Sequence, residues 1–319
     1  MKNKKNTFIV VCIIFTLLFV AGCTQDDGPD ATKEGGSGSD GDLVVGMSFQ
    51  EMNNPYFTSM KEAFEEAAES VGAETIITDA QHDVSKQTED VNDMIQQGID
   101  ILLLNPTDSE GIESAVIAAK EAGVIVVAID AQAEGPTDSF VGSKNYDAGK
   151  QAGEKMAEDL NGEGKVAILD GIPVVPILER VEGFEDAIEE YPDIEIIDKQ
   201  NGKQDKAEAM SVTENMLQAN KNLDAIFSVN DEGALGVLGA AEASDTNVSI
   251  YSVDGHPEAI EAIMEDGQFK ATTAQYPRDQ VRVGLGMALA KYWGAEVVPK
   301  EVPIDVELQT IDNAEDFSW

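Results

Sequence analysis

Side chains able to do chemistry recur in one setting along this chain, at the ends of apolar runs. Val124–Ile129 leads into Asp130, Val166–Leu169 into Asp170, and Ala225–Val229 into Asn230-Asp231. Val248–Val253 leads into Asp254 and Ala271–Ala274 into Gln275. If the runs are strands of an open α/β sheet, these groups stand beyond the carboxyl ends, where ligands bind. Asp and Asn also cap the helices that follow strands. For one residue capping is at least as good a reading; for five together, a shared polar crevice is better. These acids and amides include no visible nucleophile–base set and read as hydrogen-bonding groups. The two His do not change this. His82, in Gln81-His82-Asp83, reads as a solvated loop residue, and His256, before Pro257, as a loop residue at the crevice mouth rather than a ligand contact. Neither belongs to an HExxH pair or a nucleophile–base set. Gly284-Leu285-Gly286 lacks the preceding strand and third glycine of a dinucleotide fingerprint, and no P-loop occurs. Gly233, Gly236 and Gly239 fall in a helix, where close packing explains them. No catalytic residue, metal site or cofactor is expected.

The elements that must position these groups alternate regularly. Further apolar runs occur at Leu43–Phe49, Thr75–Ile77, Ile101–Leu104 and Ile194–Ile197. Continuous Val and Ile suits strands buried on both faces, as in parallel sheets. Helices lie between them. Asn54 caps one that opens at Pro55, buries Phe57, Met60, Phe64 and Val71, and stops at Gly72. Asp108 is expected to cap a second, running through Ile112, Ala115, Val116 and Ala119. Pro257–Gly267 repeats the pattern. The repeat restarts near Val166, after a helix at Tyr146–Leu160, which implies two α/β lobes. Late in the chain Ala271–Gln275 is extended, Asp279–Trp293 helical and Val302–Leu308 extended, so this part could cross back to the first lobe.

Composition excludes several roles. The chain has 319 residues, enough for two domains of ordinary size. Its 21 Lys and Arg face 61 Asp and Glu, for a net charge of −40. Such a surface repels nucleic acid and anionic lipid. The acids are spread along helices rather than gathered at metal-ligand spacing, which reads as a solubility adaptation to a salty exterior. At the start, Lys2, Lys4 and Lys5 precede an apolar run from Phe8 to Ala21, the layout of a secretory signal and shorter than the ~20 residues of a membrane span. Val20-Ala21-Gly22-Cys23 resembles the lipobox of bacterial lipoproteins, which implies cleavage before Cys23 and acylation of its sulfur. Cys12 would leave with the signal, so no disulfide is available. Residues 24–42, rich in Gly, Ser and Asp, read as a flexible tether.

A crevice of carboxylates and amides suits a neutral polyol, whose hydroxyls donate and accept and whose C–H faces lie on aromatic rings. Asn53-Asn54-Pro55-Tyr56-Phe57 supplies amides and rings, although Phe57 also fits the apolar face of its helix. With Leu104-Asn105-Pro106-Thr107-Asp108, Asn230-Asp231-Glu232 and Val253-Asp254-Gly255, this segment resembles the ribose-binding subgroup of periplasmic sugar-binding proteins, collinearly from Leu43 to about Leu308. The resemblance implies two Rossmann-like lobes joined by three crossings, with a sugar between them and no enzymatic activity. It implies lobes of residues 43–144 with 276–308, and 145–275 with 309–319. It implies ligand contacts at Asn54, Tyr56, Phe57, Asp130, Arg180, Gln204, Asn230, Asp254 and Gln275, Arg180 lying in Glu179-Arg180-Val181-Glu182-Gly183-Phe184. The implied partners are a small neutral sugar, an ABC permease and its ATPase, met by a monomer that touches the membrane only through its lipid. Arg is rare, present only at 180, 278 and 282, and its planar fork suits bidentate recognition.

Two positions depart from the subgroup. Ala131 stands where an Arg follows the first carboxylate, and Gln204 where a stacking Phe is usual. Losing a charged donor and a ring removes contacts of about 1–3 kcal/mol each, and it leaves room for a related pentose, a hexose or an inositol rather than ribose. A sensory module reporting a sugar without transport is the alternative. An enzyme on the same architecture lacks a base, and a repressor would need a basic helix-turn-helix. The acidic surface makes one prediction: the melting temperature rises with NaCl as screening relieves self-repulsion. A melting temperature indifferent to salt would contradict the reading.

Overall fold

The computed structural model describes residues 43–319; the signal segment, the tether and Cys23 lie outside the described residues. The first lobe runs β1 (Val44–Phe49), α1 (Pro55–Ser70), β2 (Glu74–Asp79), α2 (Val84–Gln96), β3 (Ile101–Leu104), α3 (Glu113–Glu121), β4 (Ile125–Ile129) and β5 (Ser139–Ser143). Past Lys144 the second lobe runs α4 (Asn145–Asp159), β6 (Glu163–Asp170), α5 (Val175–Glu189), β7 (Asp193–Asn201), α6 (Lys206–Ala219) and β8 (Ala225–Ser228). It continues with α7 (Asp231–Ala243), β9 (Ser249–Asp254), α8 (Pro257–Met264) and β10 (Phe269–Ala274). Helix α9 (Pro277–Tyr292) and β11 (Glu301–Ile304) return to the first lobe, and β12 (Glu307–Thr310) to the second.

Each lobe is built on a six-stranded sheet, ordered β11-β5-β4-β3-β1-β2 in one and β12-β10-β9-β8-β6-β7 in the other. Pairings are parallel except β10 with β12. The run Ile101-Leu102-Leu103-Leu104 shows why β3 is apolar throughout. Ile101 and Leu103 pack with Phe49, Phe64 and Leu285. Leu102 and Leu104 pack with Val91, Met94 and Val116 on the other face. Burying each such side chain stabilises the lobe by about 1.5–3 kcal/mol.

Side-chain caps start several helices, Asn54 among them as the sequence indicates. Asn54 Oδ1 accepts from Tyr56 N, with Pro55 at the first helical position, and Asp83, Asp205 and Asn230 cap α2, α6 and α7. Asp108 does not cap α3. Its carboxylate accepts from Glu110 N and Gly111 N, closing a turn that delays the helix to Glu113. Strand β5 has no counterpart in the sequence reading, because Ser139-Phe140-Val141-Gly142-Ser143 is short and half polar. The extended segment expected at Val302–Leu308 is two strands in different sheets, since Asp305-Val306 carries the chain between lobes.

The crossings are bonded to one another. Lys144 N donates to Ile304 O (3.0 Å), and Lys144 Nζ pairs with Asp305 Oδ1 (2.5 Å). Tyr276 Oη donates to Glu307 Oε2 (2.9 Å).

In the second lobe α4 and α5 meet with almost no side chain between them. A Cβ at Gly149 would collide with the Arg180 carbonyl, and one at Gly183 with the Tyr146 carbonyl. This approach sets Arg180 of α5 at the carboxyl ends of β8 and β9, where it meets Val229 O and Asp254. Gly149→Ala is therefore expected to destabilise the protein by about 3 kcal/mol, as overpacking does. Urea unfolding measures it, and a midpoint unchanged from wild type would contradict the assignment.

Candidate functional site

Between the lobes lies a cavity with an open mouth. Its floor and walls come from strand ends and helix starts of both lobes. Asn54, Tyr56, Phe57 and Asp130 line it from the first lobe; Arg180, Gln204, Asn230 and Asp254 line it from the second, and Gln275 from the second crossing. All nine residues singled out in the sequence therefore share one cavity. Tyr56 and Phe57 serve two purposes, for both are also packed into the first lobe's core.

Arg180 is held on several sides. Its Nε donates to Asn145 Oδ1 (2.9 Å), and its Nη1 donates to Val229 O (2.8 Å) and to Asp254 Oδ1 (3.2 Å). The pair with Asp254 is almost completely buried. Asp254 Oδ1 also accepts from Gln275 Nε2 (2.7 Å), while Oδ2 accepts from Asp231 N (3.3 Å). Opposite, the Tyr56 hydroxyl donates to Asp130 Oδ1 (3.0 Å) and accepts from Gln280 Nε2 (2.8 Å). Asn105 Nδ2 donates to Asp130 Oδ2 (3.0 Å). Gln204 Oε1 accepts from Ile172 N (3.2 Å), fixing the loop after β6. The lining groups are thus fixed by the protein before any ligand arrives.

Two polar atoms of this lining have no protein partner. Asn230 uses Oδ1 to cap α7 (Gly233 N, 3.1 Å), leaving the buried Nδ2 unbonded. Gln50 Oε1 is likewise buried and unbonded. A buried donor or acceptor left so costs about 1–3 kcal/mol. One donor and one acceptor on residues that line the same cavity suit a neutral ligand that can do both. Among the described residues, no cluster of three or more His, Cys, Asp or Glu is arranged to hold a metal ion.

Backbone geometry marks the same place. Nine non-glycine residues among those described have positive φ, and four of them are His82 (+60°), Asp130 (+68°), Gln204 (+58°) and Asp254 (+142°). L-residues rarely adopt such values, and they persist where surrounding structure enforces them. All four residues line the cavity.

Burial governs protonation here. Asp130 is pushed up to about 6 by burial, against the pull of the Arg180 charge and the Tyr56 hydrogen bond. Burial also raises Asp254, opposed by Arg180. Just behind the cavity, Asp231 is pushed up to about 8, first by burial and then by the negative charge of Asp254. Asp231 is answered by the hydroxyls of Ser252 and Thr272 (2.8 Å from Thr272) and by His256 N (2.7 Å).

Other sequence readings resolve differently. Asp170 does not line the cavity; its Oδ1 accepts from Gly171 N (2.7 Å). His256 caps α8, its Nδ1 accepting from Glu258 N (3.0 Å). His82 is exposed, as a loop residue should be, yet it also lines the rim. Gln50 and Glu51 were missed, although they follow β1 as Asp130 follows β4. Glu51 Oε2 accepts from Asn53 N (2.7 Å) and Asn54 N (3.2 Å), shaping the turn that presents Asn54. Val174, Pro176 and Ile177, at the start of α5, add an apolar wall that no sequence pattern announced.

The sign of the Asp231 effect is definite. A carboxyl with a raised folded-state pKa holds its proton in the fold after the unfolded chain has released it, so stability falls as pH rises from about 4 toward about 8. Asp231→Asn keeps one acceptor for His256 N and offers the hydroxyls a donor. It is expected to flatten the loss of stability between pH 5 and 8 by an amount on the order of 1 kcal/mol. Urea unfolding at the two pH values checks it; an unchanged pH slope in the variant would contradict it.

The chain matches the periplasmic binding protein domain over residues 45–295. It is 39% identical over 270 residues to the ribose import binding protein of Bacillus subtilis, covering 84% of this chain and 88% of that one. Its fold superposes with TM-score 0.82 on an ABC transporter solute-binding protein from Bacillus halodurans with bound myo-inositol, at 30% identity, covering 88% of this chain and 98% of that one. An ABC transporter periplasmic solute-binding protein from Actinobacillus succinogenes with bound D-allose gives TM-score 0.82 at 28% identity, covering 86% and 100%. The fold thus recurs in proteins that are solute-binding proteins by name. The chain belongs to the periplasmic binding protein family, with the type I fold of the sugar-binding proteins that serve ABC importers.

Proposed function

We propose that the protein captures a neutral monosaccharide in the interlobe cavity outside the cytoplasmic membrane and hands it to an ABC permease. The observation that carries this reading is the pair of unanswered polar atoms, Asn230 Nδ2 and Gln50 Oε1, in a cavity that also holds the Arg180 guanidinium and the Tyr56 ring. A sugar hydroxyl donates to one and accepts from the other, and a ring C–H face rests on an aromatic or apolar wall. Closure of the lobes excludes water and is favoured by bonds made to both sides at once. Acylated Cys23 holds the receptor at the membrane, and the acidic tether lets it reach the permease.

The sugar is a related pentose, a hexose or an inositol. Ala131 and Gln204 both line the cavity, and together they support a site roomier and less charged than the ribose pattern. A thermal-shift screen in high salt against D-ribose, D-allose and myo-inositol tests this, because a ligand of the folded state alone raises its melting temperature. The expected result is a larger shift with allose or inositol; ribose binding far more tightly than both would overturn the choice. Asn230→Ser keeps a capping oxygen for α7 but replaces the amide NH2 donor with a shorter hydroxyl. It is expected to weaken binding of the selected sugar about tenfold with little change in melting temperature, read by calorimetric titration.

A further inference from the structure

We propose that Trp319 is a positioning residue that ties the two lobes together behind the cleft and holds the Tyr56 ring in its ligand-facing place. Its indole Nε1 donates to the backbone oxygen of Asp254 in the second lobe (3.1 Å). The same indole packs edge-on against Tyr56 of the first lobe, with centroids 5.7 Å apart at 82°, and against His256 of the second, at 5.7 Å and 85°. Trp319 therefore touches a cavity residue from each lobe without lining the cavity itself.

The segment leading to Trp319 explains how its ring is delivered. After β12, Asn313 Nδ2 donates to Leu308 O (3.0 Å) and Asn313 Oδ1 accepts from Thr310 N (2.8 Å), turning the chain into a single 3-10 turn at Ala314–Asp316. Ala314 is fully buried in the second lobe's core. The Phe317 ring then lies against Tyr276 and over Gly255, where φ is +82° and a Cβ would stand 2.9 Å from the ring. These anchors lie in the second lobe and at the second crossing. Only the Trp319 ring reaches the first lobe's core.

What it reaches is the hub of the first lobe's polar lining. The Tyr56 hydroxyl bonds Asp130 and Gln280 and lies 3.4 Å from Gln275 Oε1. A ring clamped from behind cannot rock away from those partners, and the Asp254 backbone is held by the same indole. When the lobes part, the contact with Tyr56 must break while the bond to Asp254 travels with the second lobe. Trp319 thus favours the closed arrangement and the orientation of two ligand-facing residues together. The inference rests on the reading of the cleft as a sugar site, but its structural half, the bias toward closure, does not.

Trp319→Ala and Trp319→Phe in the full chain separate the possibilities. Small-angle scattering without sugar reports closure, and calorimetry and stopped-flow mixing with D-ribose, D-allose and myo-inositol report affinity and dissociation. The alanine variant is expected to show a larger radius of gyration than wild type. It is also expected to show about tenfold weaker binding carried by faster dissociation. The phenylalanine variant, which keeps a ring but not the N–H, is expected to fall between. A lower melting temperature with wild-type dimensions and dissociation rate would mean that Trp319 only stabilises the fold, and would overturn the proposal. If wild type binds none of the three sugars, the sugar reading fails while the scattering comparison still decides the tie between lobes. Should the alanine variant not fold, the phenylalanine variant decides alone: unchanged dissociation and dimensions overturn the proposal.

Discussion

A guanidinium withdrawn from water must have its N–H groups answered, and the second lobe is arranged around answering those of Arg180. Asn145, Val229 and Asp254 supply the acceptors, from the start of α4, the end of β8 and the end of β9. Bringing α5 close enough requires helices that touch backbone to backbone, hence Gly149 and Gly183. Turning the Asp254 carboxylate inward requires a φ that L-residues avoid. A buried ion pair of this kind adds little net stability, since desolvation offsets most of the attraction. What it confers is orientation: a donor and an acceptor fixed at the cleft before a ligand enters.

Charge balance around that pair decides what can enter. Burial raises the proton affinity of Asp254 against the pull of Arg180, and Asp231 behind it is driven toward the protonated form. Asp130 faces the same cavity with its own proton affinity raised by burial. One cation among several carboxyls leaves no surplus positive charge for an anionic ligand. The cleft is polar yet hostile to added negative charge, which is the condition a neutral polyol meets and a sugar acid or phosphate does not.

Much of this was legible in the sequence, for physical reasons that differ by residue. Alternating apolar runs and capped helices announced two α/β lobes, because strands buried on both faces have no room for polar side chains. The strand-end rule located Asp130, Asn230, Asp254 and Gln275, since groups just past a strand must face the edge of the sheet. Arg180 could not be found that way: it lies inside a helix, and only likeness to a family pointed to it. Asp170 follows the rule yet turns to its own loop, and Asp108 closes a turn instead of a helix. Local chemistry offers each of them a nearer partner. Strand β5 escaped notice because pairing with β4 and β11, not its own composition, makes it a strand. Asn145 and Trp319 carry no local signal at all, because their contacts span 35 and 65 residues of sequence.

The central claim is that the cleft is preorganised for an uncharged, many-hydroxyl ligand. Calorimetric titration tests it most directly, pairing a sugar that binds with the same sugar bearing a carboxylate or a phosphate, at one pH and salt concentration. The account predicts saturable binding of the neutral sugar and affinity at least about 100-fold lower for its charged counterpart, the cost of placing a second anion beside buried carboxylates. Equal or tighter binding of the charged form would contradict it.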